Sequence, residues 1–104
     1  MQHLNKDKVE ILIKSIAQTV KEQRQNLCKS QRLLADEFAI QKSLLSRLEN
    51  ANNEPKIGSL WMVAEALGIS ASEFFKMVEE KLPEDFKLLD CFSFNNHIFT
   101  RTPC

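Results

Sequence analysis

The sequence contains few residues that break helices and few that build covalent or metal-bound scaffolds. Its 104 residues include two Gly, three Pro and three Cys. Since polar and apolar residues do not alternate in a strand-like way before residue 90, an all-helical body is predicted. Cys28, Cys91 and Cys104 are odd in number and lack a C-x-x-C pair. His3 and His97 add no ligand cluster, so neither a zinc site nor a disulfide framework is indicated.

Long apolar runs are missing as well. No segment approaches the length of about 18 apolar residues that a transmembrane helix requires, and no signal peptide is apparent. We therefore expect a cytoplasmic protein without membrane contact. No nucleophile, base and orienting group can be combined into a catalytic site, so we expect neither an enzyme nor a cofactor. A chain of this length should bury one modest core.

The net charge is zero, which by itself argues against a nucleic-acid partner. The distribution of charge argues the other way. Residues 1–56 contain ten Lys and Arg against seven Asp and Glu, and residues 57–104 contain four against seven, so an excess of three positive charges is balanced by three negative ones. The basic half can face phosphate, although so small an excess predicts only moderate non-specific affinity.

Residues 30–50, with the sequence SQRLLADEFAIQKSLLSRLEN, contain two short helical patterns separated by about three residues. Their apolar residues at helical spacing are Leu34, Ala35 and Phe38 in the first pattern and Leu44, Leu45 and Leu48 in the second. Two short helices joined so tightly cannot lie antiparallel, so the second must cross the first steeply, as in a helix-turn-helix. Ile40 in the turn can fill the angle between them.

The side of the second helix opposite its leucines consists of hydrogen-bonding residues: Lys42, Ser43, Ser46, Arg47 and Asn50. Donors and hydroxyl groups of this kind can read base edges in a DNA major groove, and cations bind phosphate. Any solvated helix face can carry such residues, so this pattern alone leaves a DNA-binding side and an ordinary polar surface equally open.

A second signal is the order of residues over about 16–75. The residues that carry it are Ser30-Gln31, Leu34-Ala35, Ile40, Leu45-Ser46, Leu48-Glu49-Asn50, Pro55 and Ala66-Leu67-Gly68-Ile69. In this spacing the chain resembles the lambda repressor-like (Cro/XRE) helix-turn-helix family. It departs from the family at Ala39 and Ala51, where Gly is usual, and at Gln41, where a small N-cap residue is usual. An Ala in a left-handed turn costs on the order of 1 kcal/mol, and the start of the second helix could be displaced.

The resemblance implies an all-α, five-helix lambda repressor-like helix-turn-helix bundle with a C-terminal extension. Apolar spacing predicts an extended first helix over about 5–26, in which residues 9–15 are additional to the first helix of the family. The expected helix caps are Asn5, Ser30, the capping box of Ser70 and Glu73, and Gly68 at the end of the fourth helix. We expect a DNA-binding domain in residues 1–83 and an extension of unknown role in residues 84–104. Trp61 lies beside the core residues of the fourth helix, and its expected role is packing, without a chemical function. Residues 91–101 permit either a small hairpin or a loose tail.

The resemblance and the polar side of the second helix together predict roles for ten residues. Lys42, Ser43 and Arg47 are expected to read bases. The residues expected to contact or position the phosphate backbone are Gln31, Ser46, Asn50, Asn52 and Lys56. Arg24 and Glu49 are expected to form a bidentate structural ion pair. Lys29 and Arg32 are either further phosphate ligands or ordinary solvated charges.

The predicted partner is double-stranded DNA, bound by a homodimer at a near-palindromic operator. The protein would then be a sequence-specific transcriptional regulator, expected to be a repressor. The apolar residues Phe74, Phe75 and Met77 of the fifth helix either form the dimer contact or, for Phe75 and Met77, are covered by the chain that follows. No small-molecule effector is identified. The alternative is a protein-interaction or antitoxin-like module that keeps the fold without specific DNA binding, which the neutral net charge and the missing glycines favour.

Overall fold

Five α-helices account for most of residues 6–89, which are the part of the chain that the computed structural model describes. The helices are α1 (Lys6–Asn26), α2 (Gln31–Phe38), α3 (Lys42–Glu49), α4 (Ile57–Ala66) and α5 (Ala71–Lys81). The predicted five-helix, all-α bundle is therefore confirmed. The expected cap at Asn5 and the possible hairpin in residues 91–101 lie outside the described residues.

The core lies where α1 packs against α3 and α5, while α2 packs against α3 and α4 against α5. The buried part of the long α1 is its middle, residues 15–20, which includes Ile16 and Val20. Its first half contributes the half-buried Val9 and Ile13, which form part of an open apolar groove beside Phe75. The additional segment of α1 thus extends the bundle surface more than it fills the core.

Four helices end at a left-handed residue. The turns after α1, α2, α3 and α4 place Cys28, Ala39, Ala51 and Gly68 at φ values of 58°, 54°, 56° and 82°. In each, the next amide donates a hydrogen bond to a carbonyl five residues earlier: Lys29 to Arg24 at 3.3 Å, Ile40 to Ala35 at 2.9 Å, Asn52 to Arg47 at 3.4 Å and Ile69 to Ala64 at 3.1 Å. This bond is characteristic of the Schellman motif. The predicted helix end at Gly68 is confirmed, whereas Cys28, Ala39 and Ala51 adopt the turn at a steric cost of roughly 1–2 kcal/mol each.

Two aromatic residues lie outside the core. Trp61, whose expected role is packing beside the core residues of α4, is 55% exposed, because the neighbouring Leu60 and the next turn of α4 take the inward position. Phe38 is 49% exposed at the last position of α2, where the Lys29 ammonium lies 5.9 Å from the centre of its ring. Its spacing matches that of the buried Leu34 and Ala35, but it does not join them in the core.

The fifth helix uses much of its apolar surface inside the chain. Phe74 is fully buried, and the ring of Phe75 meets it edge-on with 5.3 Å between centroids. Ser70 and Glu73 form the predicted capping box at the start of α5. The helix ends at Lys81, so the Phe pair leaves less free apolar surface on α5 than the sequence suggests.

Candidate nucleic-acid interface

The turn between α2 and α3 sets the direction of the second helix of the motif. Ser30 caps α2 as predicted, since its side-chain oxygen accepts a hydrogen bond from the amide of Leu33 at 3.0 Å. The chain changes direction at Ala39, which has a φ of 54°. The next residue, Ile40, is buried in the angle between α2 and α3. Although Gln41 forms no side-chain cap, α3 begins at Lys42, so the start of α3 is not displaced.

The two sides of α3 have different surroundings. Leu45 and Leu48 are buried in the core. Lys42, Ser43 and Arg47 are exposed on the other side, and within residues 6–89 their side chains make no hydrogen bond or ion pair. We call Lys42, Ser43, Ser46, Arg47 and Asn50 the polar face of α3. Asn50 donates from Nδ2 to Ser46 Oγ at 3.4 Å, so two members of this face contact each other.

A buried ion pair holds the far end of α3. Arg24 Nε and Nη2 lie 2.7 and 2.9 Å from the two carboxylate oxygens of Glu49. The side chains of Arg24 and Glu49 are 11% and 3% exposed, and the hydrogen bonds with Glu49 raise the pKa of Arg24. Arg24 Nη1 also donates to the carbonyl of Lys29 at 2.7 Å. The guanidinium therefore connects the end of α1, the start of α2 and the end of α3.

Gln31 belongs to the same network. Its Nε2 donates to Glu49 Oε1 at 3.0 Å, which fixes the amide at the N-terminus of α2. A side-chain amide carries two N–H donors and a carbonyl acceptor, so hydrogen-bonding capacity remains for a ligand outside the network. Lys29 differs, because its ammonium lies 2.6 Å from the carboxylate of Glu37, which neutralises much of its charge.

The loop after α3 contains the two residues Asn52 and Lys56, and both are exposed. Lys56 lies beside Arg47, whereas Asn52 borders a different cavity together with Lys6 and Lys14 of α1. Arg47 and Lys56 border a cavity of about 300 Å³ whose walls also include Leu44, Glu54 and Ser59. The structure therefore places a cation of α3 beside the cation that precedes α4, although the two are nine positions apart in the sequence.

A helix-turn-helix family model of the Cro/C1 type matches residues 20–74, which is more than half of the chain and includes α2 and α3. The chain belongs to this helix-turn-helix family. The predicted family resemblance is thereby confirmed, and as a helix-turn-helix protein the chain falls in the class of DNA-binding transcription regulators. No curated protein matches the sequence.

Solved structures similar to this helix-turn-helix protein are also regulators. An HTH_3 family transcriptional regulator from Vibrio cholerae has 28% identity and a TM-score of 0.60, over 65% of this chain and 38% of that one. The wild-type restriction-modification controller protein C.Esp1396I has 23% identity and a TM-score of 0.62, over 67% and 91% of the two chains. The clp gene regulator ClgR from C. glutamicum has 22% identity and a TM-score of 0.62, over 70% and 95%. The similarities to C.Esp1396I and to ClgR, at 23% and 22% identity, show a shared fold.

Neither a metal site nor a membrane-spanning helix is found in residues 6–89. No group of three or more His, Cys, Asp or Glu side chains there could hold a metal ion. None of the helices in this range is long and apolar enough to cross a bilayer.

Proposed function

We propose that this helix-turn-helix protein binds a specific site in duplex DNA by placing the polar face of α3 in the major groove. The observation that supports this most is the exposure of Lys42, Ser43 and Arg47 on a helix whose opposite side is buried. The ion pair between Arg24 and Glu49 holds that helix at its far end. A short helix fixed by its core side and by one end can present side chains without a large loss of entropy on binding.

Base reading is assigned to Lys42, Ser43 and Arg47. At a rise of about 1.5 Å per residue, the first and last of these are separated by roughly 7.5 Å along the helix axis, which corresponds to about two base-pair steps. The Arg47 guanidinium can donate two parallel hydrogen bonds to O6 and N7 of a guanine. Lys42 and Ser43, at the start of α3, can contact neighbouring base edges.

Positioning on the phosphate backbone is assigned to Gln31, Ser46, Asn50, Asn52 and Lys56. Gln31 is supported by its fixed place at the N-terminus of α2, since the free amides of a helix N-terminus and a side-chain amide together suit a phosphate oxygen. Lys56 is supported by its exposure beside Arg47. Asn52 is supported by its exposure alone, since it borders a different cavity next to α1. Residues 1–83 form the DNA-binding unit in this proposal, and residues 84–104 are an extension of unknown role.

We further propose that the protein acts as a homodimer on a near-palindromic operator with half-sites about one helical turn, or roughly 34 Å, apart. Two copies double the small basic excess of the first half of the chain, which compensates for the neutral net charge. An operator that overlaps a promoter would exclude RNA polymerase when occupied, so we propose repression as the outcome.

The test begins with selection of a binding site from random duplex oligonucleotides, followed by affinity measurements on the selected site and on scrambled DNA. We expect Arg47→Ala to reduce the preference for the selected site by roughly 5- to 150-fold, which corresponds to about 1–3 kcal/mol for a bidentate base contact. Lys56→Ala should weaken binding to both DNAs alike and lower the slope of log affinity against log salt by about 1.

Lys76→Ala is the matched control, because it removes the same charge from an exposed position on α5, outside the proposed interface. This variant should leave the affinity and the salt slope nearly unchanged. Equal losses on the selected and scrambled DNA for Arg47→Ala would remove Arg47 from the base-reading set.

The second candidate is a protein-interaction or antitoxin-like module that keeps the fold without specific DNA binding. The zero net charge favours it, since a molecule without a large basic excess gains less from counterion release. The same experiment separates the two functions. A module of this kind should select no site from random DNA and should show no steep dependence of binding on salt.

A further inference from the structure

The cavity between α3 and the start of α4, here called the α3–α4 cavity, has both apolar and cationic walls. Its apolar walls come from the half-buried Leu44 and Pro55 and from Leu48, which is buried. Its cationic walls come from the exposed Arg47 and Lys56. A concave site with apolar walls and a few charged groups has the usual composition of a small-molecule site.

The two cations of the α3–α4 cavity are available to a ligand. Within residues 6–89, the side chains of Arg47 and Lys56 form neither a hydrogen bond nor an ion pair. Glu54 borders the same cavity, yet its carboxylate pairs with neither of them. Two cations beside one cavity repel each other, and an anion between them offsets that repulsion. Two positive charges against one negative charge leave an excess of one, which suits a monoanion.

The volume of the cavity limits the size of its ligand. It measures about 300 Å³, which is at the lower end of the range of roughly 300–1,000 Å³ for small-molecule sites. Since a water molecule occupies about 30 Å³ in the liquid, this space holds about ten non-hydrogen atoms. A straight-chain carboxylate of about six to eight carbons has about eight to ten such atoms and therefore fits the volume.

We propose that the α3–α4 cavity binds a small monocarboxylate with an apolar chain. The carboxylate lies between Arg47 and Lys56, and the chain lies against Leu44 and Pro55. A guanidinium can donate two parallel hydrogen bonds to one carboxylate, and the Ser59 hydroxyl, which also borders the cavity, is a further donor. A phosphate group has no chain of this kind and leaves the apolar walls without a contact.

The carboxylate competes with DNA for the same side chains. This second part of the inference rests on the proposed function, in which Arg47 reads a base and Lys56 contacts phosphate. Since Arg47 cannot donate the same hydrogen bonds to a carboxylate and to a guanine, the two ligands exclude each other. The carboxylate also cancels positive charge that DNA binding requires. It therefore acts as an inducer that releases the protein from its site, whereas its own binding needs no DNA.

The first experiment is a titration of the full chain with sodium hexanoate in the absence of DNA, followed by nuclear magnetic resonance of the backbone amides. For a ligand of this size we expect a dissociation constant of roughly 0.1–10 mM. The amide signals of Leu48, Lys56 and Ser59 should shift until saturation, while those of α5 should stay in place. From butyrate to hexanoate, affinity should rise by up to about fourfold for each buried CH₂ group. Acetate, 1-hexanol and inorganic phosphate lack either the chain or the charge and should bind more weakly.

Variants of the charged walls should change the affinity in opposite directions. Arg47→Gln and Lys56→Gln should each weaken hexanoate binding by at least about fivefold, because each removes a charge-assisted contact. Glu54→Gln should strengthen it by about twofold or more, because it removes a negative charge from the same cavity. A loss of folding cannot explain a gain in affinity. Lys76→Gln is the matched control, since Lys76 is exposed on α5, and it should leave the affinity unchanged.

Three results of the titration would overturn the inference. One is the absence of saturable shifts near the cavity at hexanoate concentrations up to about 50 mM. Another is equal affinity for hexanoate, acetate and inorganic phosphate, which would mean that the apolar walls contribute nothing. The third is an affinity that Arg47→Gln leaves unchanged.

Competition on the selected DNA tests the second part. Saturating hexanoate should weaken DNA binding by at least about fivefold, whereas acetate at the same ionic strength should not. Hexanoate that binds the cavity without releasing DNA would refute the role of inducer. If the chain selects no DNA site, the proposed function and the competition fail together. The titration without DNA still decides whether the cavity binds the carboxylate, so the two failures can be distinguished.

Discussion

Replacing Glu49 with Ala is expected to remove a large part of the stability of the fold. The carboxylate accepts two hydrogen bonds from Arg24, at 2.7 and 2.9 Å, and one from Gln31 at 3.0 Å. Its loss leaves the Arg24 guanidinium, which is 11% exposed, with the carbonyl of Lys29 as its remaining partner in residues 6–89. The end of α3 also loses its hydrogen bonds to α1 and α2, while Leu45 and Leu48 still pack in the core.

The expected magnitude follows from the burial of the pair. Removal of one member of a buried ion pair costs about 3–5 kcal/mol. Because Arg24 retains some contact with water, we expect a value near the lower limit, about 3 kcal/mol in the free energy of unfolding. For a domain of this size that loss lowers Tm by roughly 12–24 °C. It is a substantial part of the 5–15 kcal/mol that stabilises a typical domain.

Urea denaturation of the full chain, followed by far-ultraviolet circular dichroism, measures this loss. Glu22→Ala is the matched control, since Glu22 pairs with Lys81 at 3.0 Å but its side chain is 43% exposed. An exposed pair contributes less than about 1 kcal/mol. The reasoning would be refuted if Glu49→Ala and Glu22→Ala lost similar amounts of stability, or if Glu49→Ala lost less than about 1 kcal/mol.

Phe74→Ala should lower the free energy of unfolding by about 3–5 kcal/mol in the same urea assay, because the ring is fully buried. A loss below about 1 kcal/mol would contradict the burial of this ring in the core. Ala51→Gly should raise the free energy of unfolding by up to about 1 kcal/mol, since Gly adopts the left-handed turn without a Cβ clash. A decrease in this free energy would show that the greater conformational entropy of Gly in the unfolded chain dominates. The pKa of Glu22 is lowered from its ordinary value near 4.5 by the hydrogen bond from Gln18 and by Lys81. A pKa that is lowered in the folded state contributes stability above the pKa of the unfolded state, and this contribution is lost as the pH falls through the pKa of the folded state. Glu22→Gln should therefore remove a small part of the decrease in unfolding free energy at acidic pH. An unchanged dependence of the unfolding free energy on pH would argue against the pairing of Glu22 with Gln18 and Lys81.

Much of the helical architecture could be predicted because it depends on near neighbours in the sequence. Apolar spacing marks the helices, and the residues that end or cap them, such as Ser30 and Gly68, act on amides within a few positions. The break between α2 and α3 is predictable for the same reason. The pairing of Arg24 with Glu49 spans 25 positions and follows from the family pattern, because single-sequence periodicity does not identify such a distant partner.

The surroundings of individual side chains could be predicted less well. Phe38 has the spacing of the buried Leu34 and Ala35, and Trp61 lies next to the buried Leu60, yet both aromatic side chains are about half exposed. Periodicity fixes the side of a helix on which a residue lies. It does not specify whether another helix covers that side, because the covering surface comes from distant parts of the chain.

For the candidate interface, the residues on the polar face of α3 could be predicted without the structure, because they follow the helical repeat of 3.6 residues. The start of α3 at Lys42 could not, since Gln41 is not a usual N-cap residue. Packing of the helices also places Arg47 and Lys56 at one cavity, pairs Lys29 with Glu37 and leaves the outer side of α4 exposed. Hydrogen bonds along a helix are local, whereas burial and charge pairing depend on how distant helices pack together.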